Sequence, residues 1–376
     1  MCIFTLIKFD TNINTIMKTA KFDKNHSKEF ITELRKSVDE YFKKNNKSRF
    51  GNTNMVFKSI FMLLLYFIPY GVVVSGVVTN HWIYWLLWVC MGVGMAGIGL
   101  SIMHDANHGS YSKNKVVNRL FGFTLNLLGG SAKNWRIQHN RLHHTFTNVH
   151  EMDPDVSPMG LLRFSPDAPL KKIHKLQHIY AWFFYGLMTF SWATNKEFKQ
   201  LNDFKKDGFI SKKEYLPLMF EMVAWKIIYY TYILVIPYLI NVGSFSFGFW
   251  LLCFISLHFV AGIILATIFQ TAHIMPECDY PVANKEGTIE NNWAIHQLQT
   301  TSNYAPKSRF FSWFVGGLNF QVEHHLFPNI CHVHYKNISH IVKEKAQKYG
   351  LPYYSQKSYI QAIKEHTKML KSLGQA

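Results

Sequence analysis

The sequence predicts an all-α integral membrane protein: four transmembrane helices in two hairpins, with a cytoplasmic helical cap holding a two-metal site. Three observations predict it. Long uncharged apolar stretches occur in two pairs, basic residues avoid the short loops inside each pair, and histidines cluster where the stretches end.

The chain has 376 residues, 48% apolar and 16% aromatic, enough for one sizeable unit with a buried core. Its mean hydropathy is near zero because Lys and Arg offset concentrated apolar runs. Residues 59–79 and 82–102 carry no charge, and about 20 such residues cross a bilayer as a helix. A second pair lies at 217–241 and 245–270, the first of them with Glu221 and Lys226 near its start. These two side chains are expected to snorkel to the interface. Four such stretches in one chain make buried helices of a soluble protein the weaker account.

The formal net charge is +17, and Lys and Arg concentrate in 1–58, 103–215 and 274–376. The loops around Asn80–His81 and Asn241–Ser244 hold none. The positive-inside rule then puts the termini and the middle segment on the cytoplasmic side. Residues 1–54 read as a cytoplasmic N-terminal arm and 55–376 as the membrane domain, with the cap drawn from 103–215 and 274–376. Such a basic surface suits anionic headgroups, an acidic redox partner or an acidic thioester, and not nucleic acid. The runs Leu120–Ala132 and His178–Ala193 are short for spanning and read as interfacial or half-inserted helices. From Tyr335 to Gly374 the pattern is that of surface helices.

Cys2, Cys90, Cys253, Cys278 and Cys331 form no CxxC, so neither a zinc knuckle nor a disulfide framework is signalled. The apolar run Cys2–Ile7 lacks the basic start of a secretory signal, and Met17 is a second candidate start.

Nineteen histidines are present, and many fall in three groups: His104-Asp-Ala-Asn-His108, His139-Asn-Arg-Leu-His143-His144 and Gln321-Val-Glu-His324-His325. Residues i and i+4 share one helix face, so His104 with His108, and His139 with His143, can each clamp a metal ion or bridge toward a second. Seven imidazoles exceed what one ion needs and suggest two ions. Imidazole suits iron, copper, nickel and zinc, so ligand type alone names no metal. No Glu is followed three residues later by His, as soluble di-iron bundles require, and His150-Glu151 lacks the second His of HExxH. An acyl chain in lipid offers no acidic proton, so chemistry on it calls for activated oxygen, which non-haem iron with O2 supplies.

HDANH, HNRLHH followed by TFTN, and QVEHHLFP together resemble the three histidine boxes of membrane fatty acid desaturases, in the front-end form whose third box begins with Gln. The resemblance runs from about Thr53 to Gly374 and includes DPDV at Asp153–Val156. It implies an O2-dependent acyl desaturase with two iron ions, acting on a CoA-, carrier- or lipid-linked fatty acyl chain in the membrane. It also implies a further ligand at the cytoplasmic end of the fourth span, which His273 matches, with His296 as runner-up. Gln321 stands where related enzymes carry another His, and its amide could ligate weakly, hold a water or orient a neighbour. Asp105, Asn107, Asn140, His150 and Asp153 are candidates to fix imidazole tautomers; capping or solvation explains each equally well. Of the other histidines, His178 and His332 are held open. Many front-end desaturases carry a fused cytochrome b5 domain marked by HPGG, which this sequence lacks, so electrons are expected from a separate ferredoxin or cytochrome b5. A related hydroxylase or sphingolipid desaturase would share these boxes. A metal transporter would want ionisable residues along the spans, and a haem carrier would want paired histidines deep in facing spans.

Overall fold

The computed structural model describes residues 20–23, 28–156 and 160–375; the run Cys2–Ile7, Met17 and His26 lie outside them. Four helices are long and apolar enough to cross a membrane: Thr53–Val74, His81–His108, Lys212–Asn241 and Phe247–His273. The first begins earlier than the uncharged window suggests. Asn52 caps it by accepting from the Met55 N–H, and Lys58 sits inside the helix, 2% exposed, instead of marking its end. The third also starts earlier, at a capping box of Ser211 and Glu214.

The second span is the central one. A Cβ on Gly92 would lie 2.6 Å from the Leu257 carbonyl of the fourth span, and one on Gly94 would lie 2.8 Å from the Tyr66 nitrogen of the first. Small residues thus let three backbones approach closely where apolar burial gives no advantage over lipid. The first and third spans turn Phe57, Ile68, Leu216 and Phe220 outward, as lipid contact requires.

Around one end of the bundle lies a set of shorter helices. The helix Gln177–Gly186 packs on the fourth span and leaves Ile179 and Phe183 exposed. Helix Lys28–Lys44 buries Phe30, Leu34, Val38 and Phe42, spaced four apart, against helix Tyr335–Lys348. Two short parallel pairings depart from the all-α expectation: Lys21–Phe22 with Thr288–Ile289, and Ser302–Tyr304 with Tyr354–Gln356. Strands this short carry too few residues for a period-two signal.

Lys226 corrects the snorkelling expectation. It is 5% exposed, and its ammonium donates to the carbonyls of Gly129 and Trp192 (2.9 Å each) and Ala193 (3.1 Å), and to Glu197 Oε2 (3.0 Å). Glu197 Oε1 accepts from the Ser131 N–H at 2.7 Å. Helix-end carbonyls of the cap lie within reach of the amine, so the charge turns inward and pins the third span to residues 129–131 and 192–197. Removing one partner leaves the other charge buried and uncompensated, at a cost of about 3–5 kcal/mol. Lys226→Met is therefore expected to lower the thermal midpoint in detergent sharply, and Lys226→Met with Glu197→Leu to recover a large part of it.

Candidate metal centre

The second span carries the first histidine box at its end. Residues Ile98–Met103 are π-helical and pass directly into the α-helical turn His104–His108. The wide turn is accommodated by Gly316 (φ +63°), where any Cβ would collide with the Leu100 carbonyl. The second box is itself π-helical over Arg136–His143. The π turn also brings i and i+5 near one another: Nε2 of His139 and Nε2 of His144 are 3.2 Å apart. The expected pair His139 and His143 stays together as well, with stacked rings 5.2 Å apart, and shares a third group of ligand atoms with Asp155. The third box forms the helix Gln321–Leu326, and His273 ends the fourth span.

All eight expected histidines converge. His104, His108, His139 and His324 form one group in which a ligand atom from each lies within 4.8 Å of the others; His143, His273 and His325 form a second. His144 stands between them, its ring 4.5 Å from that of His324 and 4.3 Å from that of His325. Its Nε2 approaches Nε2 of His324 at 2.9 Å.

Four of the rings have a partner at Nδ1, while Nδ1 of His104 and Nδ1 of His144 have none among the described residues. His143 Nδ1–H donates to Asp153 (3.0 Å), His273 Nδ1–H to the Thr300 carbonyl (3.2 Å) and His325 Nδ1–H to Gln297 Oε1 (2.7 Å). Nδ1 of His324 faces the Tyr335 hydroxyl at 3.2 Å. Because these three acceptors require the proton on Nδ1, Nε2 keeps its lone pair and points inward, the arrangement metal-binding histidines use. Nε2 of His104, His108, His273 and His325 is buried with no protein partner among the described residues. Burial, reinforced by repulsion among the rings, holds His139, His144, His324 and His325 well below the ordinary imidazole pKa. Burial opposes the charged form of His143 too, but Asp153 and Asp155 outweigh it and raise its pKa. Converging neutral lone pairs without donors fit metal cations and little else.

Other expected residues are placed differently. Asp105 is buried, but its Oδ1 is 3.7 Å from His104 Nδ1, too long for a hydrogen bond. Its Oδ2 instead accepts from the His332 ring (2.8 Å) and backbone N–H (3.1 Å), and His332 Nε2 lies 2.6 Å from the buried Lys58 amine. Asn107 and Asn140 brace backbone, on Gly122 and Asn107 respectively. His296 is buried beside Phe22, held to about 4 by burial, and lies outside both groups of rings. Its neighbour Gln297 is the residue of that polar segment that meets the centre. Gln321 is buried one turn before His324 and His325, its amide nitrogen without a partner among the described residues. His150 and His178 are outside the groups. Gln297, Thr300, Tyr335 and Asp155 escaped sequence reasoning; only the polar run around His296 hinted at the first two.

Beside the centre lies a mostly apolar cavity of about 390 Å³ between the fourth span and the cap, lined at one place by His139 and elsewhere by Phe164, Tyr185, Met188, Ala266 and Phe269.

A family model described as fatty acid desaturase matches residues 80–357. The chain belongs to the fatty acid desaturase family. It is 32% identical over 349 residues to the sn-1 linoleoyl-lipid 6-desaturase of Synechocystis sp., covering 92% of this chain and 96% of that one. It is 33% identical to the acyl-lipid (8-3)-desaturase of Physcomitrium patens, over 95% and 74% of the two chains. With the acyl-lipid (8-3)-desaturase of Mortierella alpina it shares 30% identity over 92% and 78%. As a member of this family the chain is an oxidoreductase acting on fatty acyl substrates, with four membrane-capable helices and a histidine cluster able to hold metal.

For a desaturase centre of this build, the acceptor behind each ring sets its affinity for metal, and losing such a partner typically costs about 10–100-fold. Asp153→Asn is expected to weaken metal retention by that order, read as metal per protein after graded chelator treatment.

Proposed function

We propose that the protein is an O2-dependent acyl-lipid desaturase of the front-end kind, which places a cis double bond between an existing one and the carboxyl end of the chain. The observation that carries this reading is the meeting of eight imidazoles from four chain segments beside an apolar cavity. Gln321 at the head of the third box, and the 6- and (8-3)-desaturase names of the relatives, support the front-end assignment.

In this reading His104, His108, His139 and His324 would hold one iron and His143, His273 and His325 the other, with His144 between the two groups. Gln321 orients a water or a neighbouring ring. Two irons, when bound and reduced, supply the oxidising power that an unactivated methylene demands. The balance is simple. The acyl chain gives two hydrogens, an external donor gives two electrons, solvent gives two protons, and O2 leaves as two waters.

The chain's own residues do the positioning. Phe269, with its ring 6.1 Å from that of His139, and Trp135, stacked on His139 at 4.4 Å, border both the cavity and the centre. They exclude water and hold methylenes against the histidine side. A cavity bounded by fixed aromatic walls selects the bent chain that leads to cis geometry, and its depth selects the carbon. In this reading the centre and both termini face the cytoplasm, which the basic segments support through the positive-inside rule, and electrons arrive from a separate ferredoxin or cytochrome b5.

Expression in a desaturase-deficient host should yield a new fatty acid two hydrogens lighter than its precursor, absent with His143→Ala. Equal profiles from the two, or a product heavier by one oxygen, would sink the assignment. Freshly purified active enzyme should carry iron; stoichiometric zinc without iron would point to other chemistry. Ala266→Phe, which fills the cavity from the fourth span, is expected to cut conversion of long chains at least about tenfold, equivalent to roughly 1.4 kcal/mol, with metal content unchanged.

A further inference from the structure

Electrons must reach a centre that is otherwise sealed. Among the eight converging histidines, His108 alone is partly exposed. It helps line a second opening, a cleft of about 630 Å³ between helix Lys115–Gly122 and the start of the third span. This is a different opening from the acyl cavity, which meets the centre at His139.

The cleft is built for negative charge. Lys115, Arg119, Lys133, Arg136 and Lys213 line it against Glu214 and Glu221, and Glu214 already faces Lys133 at 3.7 Å. Five cations therefore stand against two carboxylates around the cleft. The same two helices expose Val116, Leu120, Leu216 and Phe220, which seat them in lipid and leave the cleft mouth at the membrane surface. An anionic lipid headgroup lodged here would leave its chain at the His108 side, away from the cavity that borders His139. An acidic protein docked over the mouth has no such conflict.

We propose that this cleft is the docking site of the electron donor, an acidic one-electron carrier whose carboxylates meet Lys115, Arg119 and Lys213 while electrons pass through the His108 imidazole. The proposal rests on the desaturase reading above. Two carriers are each oxidised by one electron for every double bond formed. Opposite charges at such a surface speed encounter and make association depend on salt.

The test uses the full iron-loaded chain in lipid nanodiscs, with whichever of cytochrome b5 or an acidic ferredoxin supports wild-type turnover as the carrier. Carrier binding is measured against sodium chloride concentration. Lys115→Glu with Arg119→Glu and Lys213→Glu should weaken binding at least about tenfold and flatten its salt dependence. The KM for acyl substrate and turnover driven by reduced methyl viologen should be unchanged. Unchanged carrier binding overturns the proposal, and so does a raised acyl KM with binding intact, which would make the cleft a headgroup site. If the triple variant loses iron, the single variants Lys115→Gln and Lys213→Gln replace it, and an unaltered salt slope in both overturns the proposal. Wild-type protein that binds the carrier yet forms no unsaturated product with either reductant would instead overturn the desaturase reading.

Discussion

Eight imidazoles packed at one buried point are the constraint on which the rest of this structure depends. Burial and crowding favour the neutral form of His139, His144, His324 and His325, and a neutral imidazole has one nitrogen that donates and one that accepts. The fold resolves this by giving four of the rings a partner at Nδ1, drawn from several segments: Asp153 after the second box, Gln297 and Thr300 beyond the fourth span, and Tyr335 at the head of a C-terminal helix. The loop carrying Asp153 is tied in turn by Asn148, in the left-handed region at φ 62°, whose amide donates to the His273 carbonyl at 2.9 Å. Segments far apart in the chain are thereby committed to one geometry, and the inward lone pairs are left for cations.

The backbone is bent to the same end. π-helical turns precede the first box and contain the second. A π turn widens the helix, so His139 stands near both His143 and His144, and His143 also reaches the rings of His273 and His325. Box three is steadied by Asn303, which accepts from the Val322 N–H and donates to the buried Glu323 carboxyl, both at 2.9 Å. Burial pushes that carboxyl up to about 7, against the hydrogen bonds from Asn303 and Tyr353.

Charge within the spans serves as a tie. Lys226 and Lys58, one in each outer span, turn inward to carbonyls, a carboxylate and a histidine of the cap. An amine that finds fixed acceptors loses less than one that must stretch to water, and it also fixes how the cap sits on the bundle. The centre consequently has two approaches, an apolar one past His139 and a basic one past His108.

By itself the sequence determined four membrane-length helices and the three histidine boxes, because hydropathy, helical spacing and motif are local properties carried by consecutive residues; His273 entered through the family resemblance, and the fold brings it beside His143 and His325. The sequence located the starts of the first and third spans less well, since Asn52, Ser211 and Glu214 act through caps that a hydropathy window does not register. It misjudged Lys226, because acceptors for that amine come from residues nearly a hundred and about thirty positions away. The division of the histidines into two groups, the use of Gln297 in place of His296, and the partnership of Asp105 with His332 were decided only by tertiary structure. Each depends on which segments meet across the fold and on π-helical register, and neither leaves a periodic trace in the chain.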